Sequence, residues 1–366
     1  MPSEIKKHIS IPVIAVNNIK EPSVAESLLE EGVCDFIGLG RALLADPEWV
    51  NKAKEGKENE IRSCIGCLYC FENLGKGKHI ACTVNARLGR ENEYKEFKKD
   101  GNKQVVAVVG AGPSGMEAAR VLAERDYKVV LFEKSDKLGG TLNIADKPLF
   151  KEKITKCTTN MGNELNRDNI EIRYNTQNAL EEVKAINPVG VFVASGAAPI
   201  VPNSIKGINL EKVVKAEDVL TGAVKLSGKV AVIGSGMTGC ETAEFLADKG
   251  CSVALVEMAA QVGPGIYPPV LMDLFDRFNK HNPEILVKHK LTEVTDTGVK
   301  LLNAETDETI SKDFDYVVLA LGVTPNEEFV SEFENAFGNV RVLGDASKAG
   351  RIVDAIADGF GKAFIF

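Results

Sequence analysis

The sequence predicts an α/β protein carrying two Rossmann-like dinucleotide-binding folds. Gly110-Ala-Gly112-Pro-Ser-Gly115 and Gly234-Ser-Gly236-Met-Thr-Gly239 each stand between an apolar run and a helical pattern. The apolar run after each helix ends in an acid, Glu133 in one case and Glu257 in the other. A lone G-x-G-x-x-G is a weak signal, but strand, glycine loop, helix and a strand closed by an acid together form the dinucleotide fingerprint. A third observation sets the N-terminal part apart: Cys64-Ile-Gly-Cys67-Leu-Tyr-Cys70, answered further on by Cys82.

Composition narrows the classes. The chain has 366 residues, enough for two or three domains, and its 44% hydrophobic content is that of a globular protein. No apolar run approaches the roughly 20 residues of a membrane helix. The opening Met1-Pro-Ser-Glu-Ile-Lys-Lys lacks the apolar core of a signal peptide. The net charge of −8, with both signs interspersed, argues against nucleic acid as a partner. Four of the eight cysteines lie in the knot, and Cys34, Cys157, Cys240 and Cys251 are scattered singly. That pattern suits a reducing compartment, so a cytoplasmic protein is expected.

In chain order, residues 11–16 form a short apolar run typical of a buried parallel strand. A helical pattern follows over 23–31 and stops at Gly32; residues 35–40 form a second apolar run, after which Arg41 opens another helix. Gly40-Arg41 at the end of that second strand has the look of a (β/α)8-barrel phosphate site, and equally of a plain strand–helix unit with a solvated arginine. Three thiols within seven residues are poorly placed for disulfides, because so tight a loop strains the bridge. Their spacing has the ligand density of a 4Fe-4S cluster, with a zinc site and ordinary free thiols as the other readings. Residues 83–103, with alternating charges, read as a linker.

From residue 104 the pattern is regular. A strand over 104–110 enters the first glycine loop, a helix runs over 116–125, and a strand over 128–132 ends at Glu133. Gly110 permits the tight turn, Gly112 lets the backbone approach a pyrophosphate, and Gly115 lets helix meet strand. The Glu133 carboxylate can accept hydrogen bonds from a ribose hydroxyl, and Gly139-Gly140 offers a second loop of close approach. The device recurs with Gly234, Gly236 and Gly239, a helix over 240–249 and a strand over 252–256 before Glu257. Met258-Ala-Ala-Gln261 follows with no Arg or Lys, which favours NADH over NADPH. Two near-repeats, 191–199 and 317–325, are apolar strands ending in Gly with Pro close behind, where the chain crosses between domains. Residues 340–345 deliver Gly344 and Asp345 at a strand end, and a small-residue helix over 352–362 follows.

Residues 104–366 resemble the two-dinucleotide flavoprotein disulfide reductases, in which a nicotinamide domain is inserted into a flavin domain. The resemblance rests on both glycine loops, Glu133, Gly139-Gly140, the two crossovers and Gly344-Asp345. It implies FAD in the first fold, NAD(H) in the second, and Asp345 on the ribityl chain of the flavin. The redox-active cysteine pair of that superfamily is missing from both nucleotide domains. Residues 11–90 instead resemble the barrel end of the iron–sulfur flavoenzymes related to old yellow enzyme: 2,4-dienoyl-CoA reductase, 2-enoate reductase and trimethylamine dehydrogenase. That resemblance implies a cluster on Cys64, Cys67, Cys70 and Cys82, and the phosphate of FMN at Gly40 and Arg41.

The domains so expected are a barrel remnant at 1–60, an iron–sulfur segment and linker at 61–103, a FAD domain at 104–225 and 316–366, and an NAD(H) domain at 226–315. A whole barrel takes about 250 residues, so FMN is expected only where a barrel domain or subunit completes the site. The activity implied is that of an NADH:flavin oxidoreductase. Electrons would pass from NADH through FAD and the cluster to FMN, which reduces an activated C=C bond such as that of an enoate or enoyl-CoA. A non-catalytic ADP-binding module around a structural metal, partnering a barrel subunit, is the alternative. No catalytic side chain is assigned, and the substrate is not legible.

Overall fold

The computed structural model describes residues 2–366. The chain divides into two compact units. One comprises 2–142, Lys153–Gly196 and Glu327–Phe366; the other comprises Asn143–Glu152 and Ala197–Asn326.

The first unit is built on a five-stranded parallel sheet. Its spatial order is Val340–Val342, Gly190–Val193, Val105–Val109, Lys128–Phe132, Ile170–Arg173. The central strands are continuous Val, Leu and Phe because both sheet faces are covered, which leaves no polar face to alternate with. Val106, Val108, Val129 and Leu131 are fully buried. Helix Pro113–Glu124 packs against helix Ile352–Phe364, whose Gly359 lies so close to Ser114 that a β-carbon there would stand 2.2 Å from the Ser114 carbonyl oxygen.

The N-terminal strands prove very short, Ile14–Ala15 paired in parallel with Phe36–Ile37. With helix Pro22–Glu30 they enclose a small core of their own, including Val13, Ala15, Ile19, Ala25, Trp49 and Ile61. The stretch 83–103 is not the free linker its charge suggested. Tyr94 is buried edge-on against Phe360 and Phe364, with ring centroids 4.8 and 5.0 Å away. Phe97 packs beside it, with ring centroids 6.0 and 5.8 Å from those of Phe360 and Phe364.

The second unit repeats the architecture. Its parallel order is Glu284–Leu286, Ser252–Val256, Lys229–Ile233, Tyr316–Leu319, Val213–Lys215. Strands Val213–Lys215 and Tyr316–Leu319 hydrogen-bond into this sheet, so the boundaries lie at Gly196/Ala197 and Asn326/Glu327 rather than at 225/226 and 315/316. A three-stranded antiparallel sheet (His289–Val294, Gly298–Asn303, Thr309–Asp313) and a short pairing of Ala197–Pro199 with Val323–Pro325 complete the unit.

Candidate functional site

Both glycine loops are shaped by steric necessity. Gly110 has φ +101°, and a β-carbon on it would stand 2.3 Å from the Ala194 carbonyl oxygen; Gly115 would meet the Gly110 oxygen at 1.9 Å. Gly234 (φ +97°) and Gly239 repeat the arrangement against Ala320 and Gly234, at 2.5 and 1.9 Å. By contrast, nothing lies within 4 Å of a β-carbon built on Gly112 or Gly236, the residues that cap helices Pro113–Glu124 and Met237–Asp248. Each helix thus begins at a glycine with open space beside its α-carbon, and the first N–H groups of a helix have no intrahelical partner, the arrangement that receives a phosphate. Gly139 donates its N–H to the Ala111 carbonyl at 2.9 Å, and Gly140 (φ +51°) lies against Gly112. The Leu138-Gly-Gly loop therefore flanks the first glycine loop.

The two strand-ending acids do more than wait for a ribose. Glu133 is 5% exposed; it accepts the Ala111 N–H at 2.8 Å, the Ser135 N–H at 2.9 Å and the Ser135 hydroxyl at 2.8 Å. Glu257, 6% exposed, does the same with the Ser235 N–H (2.9 Å), the Ser235 hydroxyl (2.6 Å) and the Ala259 N–H (2.8 Å). Burial pushes the Glu257 carboxyl up, but these hydrogen bonds outweigh it and hold the group below the usual carboxylate range. Ser135 and Ser235 were not singled out from the sequence, although Ser235 occupies the second position of its own glycine loop.

Gly344 (φ +55°) donates its N–H to Asp358 at 2.8 Å and leaves no room for a side chain beside Ser114. Asp345 accepts the Gly350 N–H at 2.9 Å, and burial raises its carboxyl above the ordinary value. The hydroxyl of Ser195, in the loop after Gly190–Val193, is buried without a hydrogen-bond partner in the same unit.

In the cysteine segment, none of the four thiols is in a disulfide. Gly66 (φ +73°) and Leu68 (φ +59°) both turn through the left-handed region, which wraps the chain between Cys64 and Cys70. Cys67 lies 3.1 Å from the Thr83 hydroxyl, next to Cys82. Burial pushes the Cys82 thiol up to about 12, the backbone N–H groups of Val84 and Asn85 oppose that, and Cys64 and Cys67 lie near enough to act on both Cys70 and Cys82. The four are therefore neighbours, but among the described residues no three His, Cys, Asp or Glu side chains form a group able to hold a metal ion. A tetrahedral zinc would need its sulfurs within roughly 4 Å of one another. A four-iron cluster asks for a wider cage, and the donor set, four free thiols with backbone N–H groups turned to Cys70 and Cys82, suits its chemistry. Cys157, which the sequence left isolated, is brought close enough by helix Glu152–Asn163 to feel Cys82 and Cys67.

Arg62 went unnoticed in the sequence, where nothing marks it. Its guanidinium is buried among Glu117, Glu164 (2.5 Å) and the Val84 carbonyl (2.9 Å). At the N-terminal site Gly40 precedes the short helix Arg41–Ala45, and the Arg41 charge reaches Lys20. Lys20 itself donates to the Cys64 carbonyl at 2.7 Å.

Two glycine loops on twin parallel sheets, with a cysteine segment ahead of them, define a two-nucleotide oxidoreductase class. Residues 104–342 match the pyridine nucleotide-disulphide oxidoreductase family, and residues 2–60 match the NADH:flavin oxidoreductase / NADH oxidase family. The chain belongs to the 2,4-dienoyl-CoA reductase, 2-enoate reductase and trimethylamine dehydrogenase group of these NADH:flavin oxidoreductases. It is 40% identical to an NADH oxidase of Thermoanaerobacter brockii, over 99% of this chain and 56% of the relative. It is 34% identical to a cinnamate reductase of Clostridium sporogenes, over 96% of this chain and 53% of the relative. A solved 2-naphthoyl-CoA reductase superposes with a TM-score of 0.93 at 28% identity, covering 99% of this chain and 55% of that one. Thioredoxin reductase from Lactococcus lactis, at 19% identity and a TM-score of 0.57, shares the fold. The chain spans about half the length of the curated relatives it matches.

Proposed function

We propose that this chain is the electron-input part of an NADH-dependent reductase of activated C=C bonds. NADH would occupy the second glycine loop, FAD the first, and a 4Fe-4S cluster the four cysteines. The observation that carries this reading is the duplicated loop: two helix N-termini with room for a pyrophosphate at Gly112 and Gly236, each braced by a buried glutamate at the ribose end. The flavin would take up a hydride as an electron pair, and the cluster would pass electrons on singly. Gly110, Gly115, Gly234 and Gly239 hold the loops, Gly139-Gly140 flank the first, Asp345 faces the ribityl chain, and Cys64, Cys67, Cys70 and Cys82 ligate iron.

The acceptor beyond the cluster would be FMN, its phosphate at Gly40-Arg41, in a barrel that further strands complete. Two observations support that partner. The parallel pair Ile14–Ala15 and Phe36–Ile37 is only two residues long, and Ile14 and Phe36 stand 60% and 57% exposed. So small a pair is marginal by itself, and its edges and apolar faces suit further strands of the same parallel barrel. The relatives named for cinnamate and 2-naphthoyl-CoA reduction motivate an enoate or enoyl-CoA as substrate.

The test is an anaerobic absorption spectrum of the purified chain. A yellow-brown protein bleached by NADH is expected. A colourless protein that binds ADP and carries zinc would replace this reading with a non-catalytic nucleotide module.

A further inference from the structure

We infer that Arg62 is the positioning residue of the cysteine site, a clamp that joins its two halves and fixes them to the first nucleotide fold. The inference rests on the cluster reading above.

The geometry is specific. Arg62 lies two residues before Cys64, and its Nη1 donates to the carbonyl of Val84, two residues after Cys82, at 2.9 Å. One guanidinium therefore ties the strand of chain entering the C-x2-C-x2-C loop to the loop carrying the distant cysteine. The same group donates from Nε and Nη2 to Glu164 and from Nη2 to Glu117. Glu117 lies on helix Pro113–Glu124, which begins at the Gly112 loop. The Arg62 backbone is held as well: its N–H donates to the Asp46 carboxylate at 2.9 Å, which also receives Lys52 at 2.7 Å. Arg120 completes the set, 2.7 Å from Glu117 and 3.8 Å from Glu164. Three cations (Lys52, Arg62, Arg120) thus meet three anions (Asp46, Glu117, Glu164), and the charges balance without a bound ion.

A guanidinium is the group for this task. Its planar fork of five donors can serve two carboxylates and a carbonyl together, whereas an ammonium is a point donor on a flexible stem. Outer contacts of this kind orient ligands and commonly govern metal affinity by one to two orders of magnitude.

The experiment uses the full chain with Arg62→Lys, which keeps a cation between the two glutamates but lacks the fork. After anaerobic reconstitution with ferrous iron and sulfide, the variant is expected to lose iron to a chelator at least about tenfold faster than wild type. In the apoprotein, Cys82 is expected to be alkylated faster, with NADH binding retained. Arg125→Lys is the control for simple destabilisation. Arg125 is a buried guanidinium of the same unit, held by Asp100 and the Ala363 carbonyl, and its replacement should lower Tm without changing either readout.

Equal iron loss and equal Cys82 alkylation in wild type and Arg62→Lys would overturn the inference, as would Arg125→Lys behaving like Arg62→Lys. Should Arg62→Lys fail to fold, Glu164→Gln is measured in the same way; iron loss at least several-fold faster than wild type supports the clamp, and wild-type behaviour rejects it. Failure of the wild type to take up a cluster would sink the cluster reading, and the Cys82 alkylation rates would still decide the clamp.

Discussion

Glu133 and Glu257 show how a residue legible for one task turns out to hold another. From the sequence each is an acceptor for a ribose hydroxyl; in the structure each holds one N–H of its glycine loop (Ala111 or Ser235), one N–H two residues beyond itself (Ser135 or Ala259) and a serine hydroxyl. An ionised carboxylate has lone pairs for both duties. It also repels the 2′-phosphate of NADPH, and Met258-Ala-Ala-Gln261 supplies no cation to offset this. NADH is therefore expected to be preferred at least roughly tenfold, about 1.4 kcal/mol, in kcat/KM measured by anaerobic stopped flow; parity with NADPH would refute it. Glu257→Arg is the poorer probe of that preference, because it strips the loop of its acceptor. Glu257→Gln removes the charge and keeps an acceptor oxygen, and is expected to narrow the preference while costing about 1 to 3 kcal/mol of stability by chemical denaturation. The cysteines give a second test at this scale. Alanine at Cys64, Cys67, Cys70 or Cys82 is expected to abolish stoichiometric iron, whereas Cys157→Ser, despite the proximity of Cys157 to the knot, should leave iron content unchanged. Iron loss in Cys157→Ser would reassign the ligands.

Among the elements, what was legible followed from how each is buried. Strands 105–109, 128–132, 229–233 and 252–256 are covered on both faces after their first residue, so there they spell continuous Val, Ala, Leu, Ile and Phe, and a glycine loop or an acid marks where each ends. The antiparallel sheet over His289–Val294, Gly298–Asn303 and Thr309–Asp313 went unread because one face is wet and a register shift between Leu291 and Glu293 interrupts its alternation. Helix Glu152–Asn163 was not read because its buried stripe, Ile154, Cys157, Thr158 and Met161 at helical spacing, has only three apolar members in a run of Lys, Thr and Asn. The Arg62 network was invisible for a different reason: its members are ordinary charged residues until folding brings positions 46, 62, 117 and 164 together. That network makes a pH prediction. Burial alone would raise the Glu117 carboxyl, but Arg120 and Arg62 hold it down, to about 2. A depressed folded-state value means that its stabilisation is complete above the unfolded value near 4.5 and is lost as pH falls towards 2. The contribution is on the order of 3 kcal/mol at neutral pH. Denaturant titrations from pH 6 to pH 2.5 are expected to show wild type losing stability through this window and Glu117→Gln losing distinctly less. Parallel curves would mean that Glu117 is not held down in the folded state.

On the scale of the whole molecule, the two halves of the proposed reaction are unequally equipped. Both glycine loops, both bracing glutamates, Asp345 and the four cysteines belong to this chain. The side that would take an enoate is represented by Gly40 and Arg41, just past a parallel pair two residues long, and Ile14 and Phe36 of that pair, like Ile11 and Val16 beside it, are exposed. An FMN held at its phosphate end loses the isoalloxazine contacts that a closed barrel supplies, and contact with one exposed loop leaves little binding free energy once the ordering costs are met. Residues 11–50 contain no Tyr or His to deliver a proton to a substrate carbon. The chain by itself is therefore expected to oxidise NADH with ferricyanide or a dye as acceptor, and to leave cinnamate and enoyl-CoA substrates untouched. Adding the barrel strands in trans, as a separate polypeptide or a fusion ahead of residue 2, should restore FMN binding and quench any self-association driven by the exposed strand edges. Reduction of an enoate by the chain alone, with stoichiometric FMN, would show that two short strands and Arg41 suffice. Failure to reduce even the dye under NADH would place the fault earlier, at the glycine loops themselves.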